Sequence, residues 1–146
     1  MKKLSYSIFV ASVILSSCKK EDLSSLKQSS INSRFSSHVD EKVYLISESG
    51  SITLEVTSIS DNRCKGHDFC TDSGDCSVRV KVSNLNNSTA ESILIIDNSS
   101  EHQTHEVHFR LDKKSYLVHL NGVNPKPFSN NATTPKVAEF LVEEVR

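Results

Sequence analysis

The chain predicts an all-β fold: a single antiparallel β-sandwich, immunoglobulin-like and of about seven strands, over residues 41–146. Three observations carry that prediction. From Lys42 onward, apolar residues recur at every second position in short runs, the period of a strand with one buried face. Ser, Asn, Asp and Gly punctuate those runs, as turns between strands require. Trp is absent and Met occurs only at position 1, so the core must come from Val, Ile, Leu and Phe, a composition that favours strands.

The elements follow in order. Lys42 to Glu48 sets Val43 and Leu45 against Tyr44 and Ile46, and turns at Ser49-Gly50-Ser51. Ile52 to Ile59 places Ile52, Leu54 and Val56 on one face. Ser77 to Ser83 directs Val78, Val80 and Val82 inward and Arg79 and Lys81 outward. Ser92 to Asp97 is a nearly continuous apolar run, which predicts a strand buried on both faces. Thr104 to Leu111 alternates with Val107, Phe109 and Leu111 inward, Tyr116 to Val123 follows, and Val137 to Val145 closes the chain. Short strands without an amphipathic helix imply two packed antiparallel sheets, with a barrel as the alternative architecture.

The first forty residues read differently. Lys2-Lys3, an apolar run from Leu4 to Leu15 and then Ser16-Ser17-Cys18 have the order of an export signal. The run is too short to span a hydrocarbon layer of roughly 30 Å. Leu15-Ser16-Ser17-Cys18 resembles the lipobox of bacterial lipoproteins. That resemblance implies removal of residues 1–17 and diacylglyceryl and acyl (palmitate-type) modification of Cys18. Cleavage would leave 129 of the 146 residues and, by removing Lys2 and Lys3, take the formal net charge from −1 to −3. Neither value suits a nucleic-acid binder. Residues 18–40, rich in Ser with isolated Leu23, Leu26, Ile31 and Phe35, read as a flexible tether.

The loop from Ser60 to Cys76 concentrates the reactive side chains. Exported chains keep disulfides. With Cys18 lipidated, three cysteines remain, an odd number. Cys64 with Cys70 is the preferred pair, contributing roughly 2 kcal/mol by closing a short loop. Cys76 is then a free buried thiol, or an alternative partner for either of the others. Cys64, His67, Cys70 and Cys76 together offer a Cys₃His ligand set for zinc, although an oxidising envelope favours disulfides over coordination. The oxygens of Asp68, Asp72, Ser73 and Asp75 complete no calcium loop.

Asp61-Asn62-Arg63-Cys64, Cys70 and Gly74 before an alternating Val strand resemble a pattern in small uncharacterised lipoproteins of the Bacteroidota, Asp-Ser-Arg-Cys-Pro followed by Cys-x-Trp-Ala-Gly. Tyr116 to Val123 and Val123-Asn124-Pro125-Lys126-Pro127 match its later part. Lys65 replaces the usual Pro, Asp72-Ser73 replace Trp-Ala, and Cys76 is additional. The resemblance implies a β-sandwich with the two matched cysteines bonded, and it brings no catalytic residues.

His102, His105, His108 and His119 form a second cluster. On a strand His105 and His108 point to opposite sides, which leaves His108 and His119 as a cross-strand metal patch or as ordinary surface residues. No nucleophile elbow and no phosphate-cradling glycine loop occurs, so an enzyme is not expected and no cofactor is implied.

The expectation is a lipid-anchored protein of the bacterial cell envelope, at the outer membrane. It would present a non-catalytic binding domain whose loops meet a protein or glycan partner. A protease-inhibitor-like envelope protein and a metal-handling lipoprotein are the alternatives.

Overall fold

The computed structural model describes residues 26–63, 74–97, 105–125 and 134–145. Among these the fold is all-β, with nine strands: β1 (Lys27–Ser30), β2 (Arg34–His38), β3 (Lys42–Ser47), β4 (Gly50–Asp61), β5 (Asp75–Asn84), β6 (Thr89–Asp97), β7 (Glu106–Leu111), β8 (Lys114–Asn124) and β9 (Val137–Val145). They form a five-stranded sheet, β1-β3-β4-β5-β6, and a four-stranded sheet, β2-β9-β8-β7. All pairings are antiparallel except that of β1 with β3. No helix among the described residues is long and apolar enough to cross a membrane.

The seven strands read from the sequence are β3 to β9, and in β3, β4, β5 and β7 the inward faces are those the alternation predicts. Val43, Leu45, Ile52, Leu54, Val56, Val78, Val80 and Val82 of one sheet pack against Phe109, Leu111, Tyr116, Val118, Leu120, Phe140 and Val142 of the other, all buried. β3 to β6 form one meander and β7 to β9 another, so the connectivity departs from the Greek key of the immunoglobulin fold while the two-sheet sandwich stands.

Two expectations are corrected. Residues 26–40 belong to the domain rather than to the tether. β1 lies on the edge of the first sheet and β2 on the edge of the second. Between them Ile31 N–H bonds the Ile46 carbonyl at 3.0 Å while Asn32 N–H bonds the Val142 carbonyl at 2.8 Å. The cause is burial of a few well-placed groups. Phe35 packs at 5.7 Å on Phe140, and Ile31 and Ser37 also face inward. Ser37 sits in the interior with its hydroxyl directed at the His38 and Glu41 carbonyls, so a serine-rich composition here conceals strand periodicity.

The run Ser92 to Asp97 forms an edge strand, not one buried on both faces. Leu94 is buried, but Ile93 on the outward face is 42% exposed.

Two β-bulges shape the end of the sandwich where β4 and β8 finish. In β4 the register shifts between Val56 and Ser58; in β8 it shifts between Leu120 and Gly122. An extra residue in a strand exchanges its two faces. Beyond the first bulge Ile59 and Asp61 face inward, opposite Val78 and Cys76; beyond the second, Val123 does.

Candidate functional site

Asp61 is carried into the interior by the β4 bulge, and its side chain is only 7% exposed. A carboxylate there needs compensating partners. Arg63, two residues on, grips it in a bidentate fork, Nε donating to Oδ1 at 2.7 Å and Nη2 to Oδ2 at 2.9 Å. Lys136, just before β9, stands 2.7 Å from Oδ2. The same cations also reach the second sheet: Arg63 Nη2 donates to the Val123 carbonyl at 3.0 Å and Lys136 Nζ to the Pro125 carbonyl at 2.9 Å. One carboxylate thus ties the end of β4 to the end of β8 and the start of β9.

The electrostatics follow from that geometry. The Arg63 hydrogen bonds, helped by Lys136 and opposed by burial, hold the Asp61 carboxyl well below the usual carboxylate range. Its pairing with Asp61 in turn raises the Arg63 guanidinium further. Cys76, directly opposite Asp61, is buried and free, and desolvation with the Asp61 charge pushes its thiol up to about 11. It is therefore protonated at neutral pH, a form that is a poor nucleophile.

Gly74 completes the corner with a φ of +57°, and a Cβ there would lie 2.1 Å from the Asn62 carbonyl oxygen. Asn62 N–H bonds the Asp75 carbonyl at 2.8 Å, so the β4–β5 ladder continues past Asp61. The stretches Asp61-Asn62-Arg63 and Val123-Asn124-Pro125, far apart in the chain, meet in this clasp. Its donors and acceptors satisfy one another, which suits holding strands together rather than chemistry on a substrate.

The other proposed site residues are distributed as follows. Cys18, Cys64, His67, Cys70 and His102 lie outside the described residues, as do Asp68, Asp72 and Ser73. Cys76 alternates with Val78 and Val80 on the inward face of β5, and its side chain is buried. His108 and His119 are not paired: His108 stands opposite Leu117, and His119 opposite Glu106. The His119 ring lies between two carboxylates, Nδ1 2.8 Å from Glu106 and Nε2 3.0 Å from Glu143, which bridges β7, β8 and β9 on the outer face. Among the described residues no group of three or more His, Cys, Asp or Glu is placed to hold a metal ion.

At the opposite end of the sandwich the tight turns border two open clefts. One, of about 690 Å³, is lined by Ile31, Ile46, Ser47, Ser49 and Glu144. Glu144 accepts hydrogen bonds from Ser47, at 3.3 Å, and from Ser49, and Lys114 lies 3.8 Å away. The other, of about 460 Å³, is lined by Asn84, Leu85, Asn86, Asp112, Lys114 and Tyr116. There the Asp112 carboxylate accepts from the Asn84 amide at 2.7 Å and the Asn86 amide at 3.2 Å, beside Leu85, which is 74% exposed. These turns were visible in the sequence as Asn-, Asp- and Ser-rich connections, but their convergence on one end was not. No family model, no curated protein and no solved structure matches the chain.

Proposed function

We propose that this chain is a cell-envelope lipoprotein, anchored through a lipid on Cys18, that presents a non-catalytic β-sandwich binding domain to a protein or glycan partner. The order of Lys2-Lys3, the apolar run and Ser16-Ser17-Cys18 supports the anchor. Two or more acyl chains make such an anchor stable, at roughly 0.8 kcal/mol per buried CH₂.

The observation that carries binding rather than catalysis is the contrast between the two ends. At one, Asp61, Arg63 and Lys136 satisfy each other; at the other, Ser, Asn, Asp and Lys side chains border open clefts beside an exposed Leu85. Rigid strands with polar groups on short turns are a common scaffold for recognition. Cys76, one of the four ligands of the metal-handling alternative, has its side chain buried on the inward face of β5.

Cell fractionation tests the anchor. The wild-type chain is expected in the membrane fraction and the Cys18→Ser variant in the soluble envelope fraction. Retention of the variant on membranes would contradict the proposal.

A further inference from the structure

β1 and β2 enter the sandwich together, but they are held by unequal means. β2 pairs antiparallel with β9 and buries Phe35 and Ser37. β1 is four residues, Lys-Gln-Ser-Ser, none of them buried, and among the described residues its one neighbour, β3, runs parallel to it. Parallel pairing is slightly the weaker kind per residue, and an edge strand that buries nothing has little beyond its backbone bonds to offset the entropy of being ordered. The side-chain tie is Lys27, whose Nζ donates to the Ser36 carbonyl at 2.6 Å and lies 3.4 Å from Glu41 Oε2. With both side chains partly exposed, the ion pair adds only modestly. The next residues are fixed far more firmly. Ile31 is buried, and the N–H groups of Ile31 and Asn32 bond the Ile46 carbonyl of one sheet and the Val142 carbonyl of the other.

We infer that β1 is a releasable strap between the anchor and the domain: it leaves β3 and rejoins it as a unit while the rest of the sandwich stays folded. Ile31 and Asn32 are the fixed point at which opening stops, and Lys27 is the latch that closes the strap. Local openings of this kind occur where few apolar groups are buried and the backbone bonds are exposed. The chain between Cys18 and the fixed domain then has two lengths. With β1 docked, nine residues lead from Cys18 to Lys27; with β1 released, thirteen lead from Cys18 to Ile31, which raises the full extension from about 30 Å to about 45 Å. The domain is held near the lipid in one state and let out in the other. This change of reach rests on the proposed lipid on Cys18; the detachment of β1 does not.

Hydrogen exchange of the mature chain carrying Cys18→Ser tests the strap without the lipid. The slowest amides of Lys27–Ser30 are expected to exchange about tenfold or more faster than those of Arg34–His38. Lys27→Ala should speed β1 a further threefold or so and leave β2 unchanged, because it removes the latch and not the fixed point. Gln28→Cys with Tyr44→Cys, opposite each other in the register, should on oxidation slow β1 to the rate of β2. A chain cut back to begin at Ile31 should keep the urea midpoint of the parent. Amides of β1 that exchange no faster than those of β2 would overturn the inference, as would a chain beginning at Ile31 that unfolds at lower urea; β1 would then be a fixed part of the sandwich. Fractionation of Cys18→Ser reads the anchor and exchange reads the strap, so either can fail without the other.

Discussion

Asp61 is the residue on which this end of the molecule depends. It holds two cations from different parts of the chain, and removing one member of such a buried pair typically costs roughly 3–5 kcal/mol. Arg63→Ala should therefore lower stability by that order in urea unfolding at pH 7; a loss below about 1 kcal/mol would contradict a buried clasp. The pH dependence has a definite sign. Because the folded-state carboxyl is held below its unfolded value, its stabilisation is complete above about pH 4 and fades as pH falls through the unfolded and then the folded pKa. Asp61→Asn should lower stability at pH 7 and flatten this acid limb. Part of the clasp was legible. Asp61 and Arg63 stand out in the resemblance pattern, and Ile59, out of phase with Ile52, Leu54 and Val56, marks the bulge that turns Asp61 inward. Lys136 had no local signal, since it is brought to Asp61 only by the pairing of β8 with β9.

Strands whose inward residues are large and apolar were readable one by one; strands that use serine inward were not. β5 shows the first case, with Val78, Val80 and Val82 alternating against Arg79 and Lys81. β2 shows the second, with Phe35 and Ser37 inward and only one large side chain to indicate the period. The distinction is testable at Phe35. Phe35→Ala should destabilise the domain by roughly 3–5 kcal/mol, the usual cost of truncating a buried aromatic. An unchanged urea midpoint would mean that residues 26–40 act as a tether after all. β6 illustrates a different limit: apolar content indicates how much burial a strand seeks but not whether its own chain provides it.

The two-sheet architecture was legible from the period of two and the spacing of turns, whereas the partition of strands between sheets was not. Membership is decided by which inward faces fit together. The N-terminal arm, divided between both sheets, has no counterpart in the alternation pattern. Including that arm shortens the proposed tether. Lys27 follows Cys18 by nine residues, which span about 30 Å at full extension, so the domain would stay close to the lipid surface rather than range away from it. Everything proposed about location depends on Cys18. The most direct test is mass spectrometry of the amino terminus of the protein taken from native membranes. The expected chain begins at Cys18 with diacylglyceryl on its sulfur and an acyl group on its nitrogen. An unmodified Cys18, or a chain that keeps residues 1–17, would contradict it.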